Sequence, residues 1–309
     1  MTKQLRGMAL GLIIALSALA LSFAPTYAHG NNGDHGGSGN NGDHGGSGNN
    51  GDDGDDGDEH APAREVLVAF LTGGAEVNSA GQPNQGDLDG SAIARVRLVP
   101  AKGRVCINAE TRSLDPLVLA HIHSAPAGAN GPVVVDFTGL IDGPVVKGCV
   151  SADPSLIDAI VANPASYYLN IHSETFRAGA VRGQLEPRGS LRSSFQLTLS
   201  GAAEVGNPGD LDGIGSARVT LAARELEICI NARVRKLAPL TLAHIHNAPA
   251  GANGPVVVDF TQFIDGSRVN GCVTVDPNLL QAIRANPASY YVNVHTAEFP
   301  AGAMRGQLQ

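Results

Sequence analysis

From residue 65 onward, apolar and polar residues alternate in short runs separated by Gly, Pro, Asn and Asp. Such runs predict strands at 65–71, 91–99, 103–110, 116–123, 132–137, 145–151, 166–172 and 180–185. One stretch, 154–162, reads as helix instead: Asp153 or Ser155 can cap it, Pro154 suits its first turn, and Asn163-Pro164 stops it. The connections are too short for repeated crossover helices, which disfavours a parallel sheet. The expected fold class is all-β, an antiparallel β-sandwich of Greek-key-like topology with one short helix.

The pattern then repeats. HIHSAPAGANGPVVVDF at 121–137 recurs as HIHNAPAGANGPVVVDF at 244–260, differing only at Ser124 against Asn247. LTGGAEV at 71–77 matches LSGAAEV at 199–205, and ANPASYY occurs at 162–168 and 285–291. A repeat of about 120 residues is a whole domain, because solenoid units run to roughly 20–50. The expected organisation is therefore a domain at 64–187 and a second at 191–309, joined through Glu186-Pro187-Arg188-Gly189. The second copy repeats the helix signals as Asp276-Pro277 and Asn286-Pro287. Each copy is expected to hold its own core.

The first 60 residues lack this pattern. Lys3 and Arg6 precede an apolar run from Met8 to Ala24, followed by Pro25 and Thr26-Tyr27-Ala28. A positive flank, an apolar core and small residues before a cleavage point predict a signal peptide over 1–28 and export. Residues 29–60 contain only Gly, Asn, Asp, Glu, His and Ser, with NNGDHGGSG at 31–39 and 40–48. Without apolar side chains this stretch cannot offset its ordering entropy, so a disordered acidic linker is expected. No later segment is apolar enough to span a membrane.

Composition narrows the function classes. The 309 residues carry a formal net charge of −8, with 39 Gly, 4% aromatics and no Trp. Residues 29–60 hold seven Asp and Glu59 and no base, whereas 61–309 hold 19 basic and 21 acidic residues. A near-neutral folded part without stacking aromatics argues against nucleic acid as a partner. No GxSxG, HExxH or phosphate loop is present, so no catalytic constellation is assigned.

Each domain has two Cys, 43 residues apart. In an exported chain this predicts the disulfides Cys106–Cys149 and Cys229–Cys272. By strand parity they lie on the less apolar side, outside the main core. Closing loops of this length is worth on the order of 4 kcal/mol in the chain-entropy model.

His121 and His123, at i and i+2 on a strand, face the same way, and His172 ends another strand. His244, His246 and His295 repeat them. Such a set can hold copper or zinc through three nitrogens, or can form a hydrogen-bonded polar cluster. Asp136 and Glu174 are the nearest carboxylates that could orient the rings. Near the end of each domain, Arg182 or Arg305 can pair with Glu76 or Glu204 and lock the two chain ends together.

Together, L-[TS]-G-x-A-E-V, A-H-I-H-x-x-x-x-G-x-N-G-P-V-V-V, N-[IV]-H and A-G-x-[VM]-R-G-Q-L resemble the CHRD family. That domain is named for its occurrence in chordin and is found singly or in tandem in bacterial exported proteins. The stretches recur in order in both copies. The resemblance implies an extracellular β-rich module without an established enzymatic activity. The HxH, the later His and AGxxRG are also similar in order to elements of copper/zinc superoxide dismutase, but its metal-bridging His and zinc-loop ligands have no counterpart here. Fold-level likeness does not supply function.

The sequence thus points to a secreted, periplasmic or cell-surface tandem protein, a non-enzymatic binding or structural module for an unidentified extracellular ligand or protein. Its alternatives are a copper- or zinc-binding protein using the six His, with a superoxide-dismutase-like site, and a surface adhesion or matrix component.

Overall fold

A computed structural model describes residues 65–309; the expected signal peptide and acidic linker lie outside the described residues. The first domain runs β1 (Glu65–Thr72), β2 (Ser91–Val99), β3 (Arg104–Arg112), β4 (Leu117–Ser124), β5 (Val133–Asp136), β6 (Ile141–Asp142), β7 (Val145–Ser151), α1 (Pro154–Ala162), β8 (Tyr167–Ser173), β9 (Val181–Gln184) and β10 (Glu186–Pro187). The second runs β11 (Arg192–Leu199), β12 (Ile214–Ala222), β13 (Glu227–Arg235), β14 (Leu240–Asn247), β15 (Val256–Asp259), β16 (Ile264–Asp265), β17 (Arg268–Thr274), α2 (Pro277–Ala285), β18 (Tyr290–Thr296) and β19 (Met304–Gln307). The long strands and the helix fall where the polarity pattern puts them. The pattern misses the two-residue β6 and β10, too short to show a period; Glu186 and Pro187, expected to belong to the linker, pair with β1 instead.

All pairings are antiparallel, and the fold is all-β with two short helices. In the second domain, β11-β12-β13-β17-β16 and β15-β14-β18-β19 form two sheets, bridged only by Ser200 and Arg305. In the first, Thr72 pairs with Arg182 at the same place, so β5-β4-β8-β9-β1-β2-β3-β7-β6 runs as one sheet folded over. The chain changes layer between β3 and β4 and returns after β5, the crossing expected of a Greek key. Alternation sets the core: Val105, Ile107 and Ala109 of β3 are buried with Ala120, Ile122, Leu169 and Ile171 of the facing layer.

The helices begin where their caps dictate. Asp153, rather than Ser155, caps α1, its side chain accepting from Ser155 N; Asp276 caps α2, accepting from Asn278 N and Leu279 N. Cys106 opposite Cys149 and Cys229 opposite Cys272 form the two bridges, each between directly paired strands and on the side away from the sandwich core.

The two cores are less separate than the repeat suggests. Val68 and Phe70 point outward from β1 and join the second domain's apolar cluster. Helix α2 packs against β1, and Gly74 N donates to Asn278 Oδ1 at 2.7 Å. Arg284 bonds Glu186 at 2.8 Å and lies over the Phe70 ring at 5.7 Å. The counterparts of Val68 and Phe70 in the second copy are Gln196 and Thr198. The interface therefore cannot propagate into a chain of like domains, since its acceptor face exists once. Phe70, 2% exposed, fills this junction, so Phe70→Ala should cost about 3–5 kcal/mol. Chemical denaturation would check this; a change below 1 kcal/mol would mean that the junction carries no stability.

Candidate metal centre

The outward face of the β5-β4-β8-β9 layer carries an ordered row of polar residues. Asp136, His121, Asn170, Arg182 and Thr72 lie side by side across five strands, each paired with the next. Asp259, His244, Asn293, Arg305 and Ser200 repeat the row. One step along, His123 pairs with Tyr168; one step the other way, Leu119 pairs with His172. Strand parity thus places His121, His123 and His172 on one face, outside the core. Ala120 and Ile122 point the opposite way into it.

The ligand atoms of His121, His123 and His172 all lie within 4.8 Å of one another, and those of His244, His246 and His295 do the same. Each ring uses one nitrogen on a fixed partner. His123 Nδ1 bonds Gly131 O at 2.9 Å, and His172 Nδ1 bonds Arg177 O at 3.0 Å. His121 Nε2 faces Asp136 Oδ1 at 3.5 Å and Thr138 Oγ1 at 3.4 Å. A carbonyl can only accept, so Nδ1 of His123 and of His172 carries the proton. The nitrogens left over, His121 Nδ1, His123 Nε2 and His172 Nε2, are buried and without a partner. The second domain gives the same result, with Gly254 O, Pro300 O and Asp259 as the partners, and His244 Nδ1, His246 Nε2 and His295 Nε2 left over.

Three buried lone pairs facing one another are costly unless something binds them. A divalent metal does so, and imidazoles oriented by a carbonyl or carboxylate through their other nitrogen are the usual metal-site arrangement. Burial, the largest cause in every case, holds all six imidazoles below their ordinary pKa. They are therefore neutral near pH 7 and ready to ligate.

Local sequence explains the supports. Gly131 approaches the Ser124 carbonyl so closely that a Cβ would sit 2.0 Å from its oxygen, so only Gly can bring this loop over His123. Thr138 N donates to Asp136 Oδ1 at 2.8 Å, and bonding to Thr138 is the main cause holding the Asp136 carboxyl below its ordinary pKa. His123 stacks on Tyr168 at 4.8 Å between centroids, and the Arg182 guanidinium lies 3.6 Å from the same ring. Of the carboxylates nearest in sequence, Asp136 does face its ring, but Glu174 is exposed and the Arg177 carbonyl holds His172 instead. Backbone carbonyls leave no trace in residue type, which is why this support was not legible in the sequence.

The terminal Arg residues differ between copies. Arg305 pairs with Glu204 at 2.7 Å. Both Arg side chains also bond the facing loop, Arg182 at Asn130 Oδ1 and Ala129 O and Arg305 at Asn253 Oδ1 and Ala252 O. In both copies one Glu oxygen, Glu76 Oε1 or Glu204 Oε1, is buried without a partner; the difference is that Arg182 makes no ion pair with Glu76. Burial pushes the Glu76 carboxyl up to about 8, against the opposing effect of Arg182. Glu204 is also raised by burial despite its ion pair.

Fold and site together define a class: paired antiparallel β-sandwiches, each stapled by one disulfide and bearing three convergent His on an outer sheet face. The CHRD domain model matches residues 67–185 and 195–308, so the chain belongs to the CHRD domain family, in tandem. No curated protein matches the sequence.

Proposed function

We propose that this is an exported metal-binding protein holding one copper or zinc ion per domain, at His121, His123 and His172 and at His244, His246 and His295. The observation that supports it is the convergence, in both copies, of three unpartnered buried nitrogens whose rings are each held from the far side. Imidazole nitrogens suit both ions, and the general order of divalent affinities puts copper above zinc. The ion would supply Lewis acidity or, as copper, electron transfer; the chain's own residues orient the rings and fix their tautomers. Export fits the basic, apolar N-terminus and the disulfides, which persist in oxidising compartments. Among the described residues no helix is long and apolar enough to cross a membrane.

Titration of untagged protein with copper and with zinc, read by elemental analysis after desalting, should give two equivalents per chain. Because the imidazole pKa values are depressed, uptake should persist at pH 6.5 and fail only at lower pH, where both nitrogens of each ring hold protons. Retention of neither metal would reject the reading.

A further inference from the structure

The face opposite the His clusters carries a second pattern. On the outer side of the disulfide-bearing layer, Arg95 and Arg97 of β2, Arg104 and Arg112 of β3 and Lys147 of β7 are all exposed. Arg95, Asn108 and Lys147 lie in one row across three strands. Arg97 is held over the bridge by a contact from Nη2 to Cys106 Sγ at 3.4 Å. None of these cations forms an ion pair; the pairs among the described residues involve Arg284 and Arg305 and the site histidines.

The surface here is recessed. Arg95, Arg97, Asn108 and Lys147 line a depression of about 410 Å³. It adjoins a recess of about 200 Å³ lined by Arg95, Asn108, Glu110, Arg112 and Arg224. Arg224 comes from the second domain, where Arg112 Nη2 donates to its carbonyl at 3.1 Å. The combined groove holds Arg95, Arg97, Arg112, Lys147 and Arg224 against one acid, Glu110. The second domain has a like depression of about 370 Å³, with Arg218 and Arg233 beside Asn231 and Gln196.

We infer that this groove binds an acidic polysaccharide. Guanidinium groups take carboxylate or sulfate oxygens in pairs, and the Asn108 amide can both donate to and accept from sugar hydroxyls. Cations spaced by about 7 Å along a strand and about 10 Å across two strands suit an extended polymer with regularly placed charges. Its lining has no aromatic ring on which bases could stack, as single-stranded nucleic acid requires. It presents no large apolar side chain for burial in a lipid surface beyond Ile93 and Ile107, both at most half-exposed. The groove is independent of the metal reading, being built on the other layer.

The test is binding of the full exported chain to polygalacturonate and to dextran sulfate at 50 mM salt, with uncharged dextran, an oligodeoxythymidylate and anionic phospholipid vesicles as comparisons. Binding to either charged polysaccharide is expected, weakening at least about tenfold by 200 mM salt as counterions compete. The variant Arg95→Gln/Arg97→Gln/Lys147→Gln should bind at least about tenfold more weakly, with unchanged melting temperature and metal content. The proposal is overturned if neither charged polysaccharide binds, if uncharged dextran, the oligonucleotide or the vesicles bind as tightly, or if the folded variant binds like the parent.

Discussion

His123→Ala should reduce metal uptake from two equivalents to one, with His246→Ala removing the other and the double variant retaining none. Each change deletes one of three nitrogens at a centre where no carboxylate or thiolate joins the cluster of ligand atoms. Losing a ring-orienting group typically costs 10–100-fold in affinity, so losing a ligand should cost more than about 100-fold. Asp136→Asn supplies the graded comparison, because Asp136 faces His121 Nε2 without being a ligand, and about a tenfold loss is expected. Metal-induced thermal stabilisation gives a second readout: saturation at about 100 times Kd adds about 2.7 kcal/mol per site. If His123→Ala keeps both equivalents while folded, the cluster is a structural polar network. The stacking of His123 on Tyr168 would then be its main role.

A second large effect should come from Glu76. Its folded pKa is about 8, whereas the free carboxyl lies at 4.5. Between those values the folded chain holds one more proton than the unfolded chain, so stability falls as pH rises through that window and levels off above it. Each pH unit costs about 1.4 kcal/mol at most, giving a total of a few kcal/mol. Glu76→Gln keeps the size and stays neutral, so it should flatten the profile and raise stability at pH 8. Gly179, at φ 145° and with its Cβ position 2.7 Å from the Glu76 carboxyl, shows how tightly the group is enclosed. Denaturation of both forms at pH 5 and pH 8 decides the matter: equal slopes would mean that Glu76 is ionised and paired in the folded chain. Glu204→Gln should behave differently, because it breaks the charged contact with Arg305.

Much was legible in the chain itself. Period-two alternation gave the strands because one face of each is buried, and Asp-Pro and Asn-Pro bounded the helices because caps and prolines act locally. Strand parity alone put His121 and His123 together and Cys106 outside the core. The duplication made each of these readings twice. What parity could not do was choose neighbours: His172 lies four residues from Tyr168 on the same strand face, but only the β4–β8 register sets it beside the other two rings. The orienting carbonyls of Gly131 and Arg177 depend on loop paths, and carbonyls are common to every residue. The nearly balanced charge over 61–309 marks no charged face. The folded sheet instead sorts its Arg side chains onto one outer face, because alternation sends every second residue the same way. The junction at Val68 and Phe70 likewise had to await tertiary structure. An outward apolar pair on β1 carries no mark of its partner, and helix α2, more than 200 residues further along, supplies it only once both domains are folded.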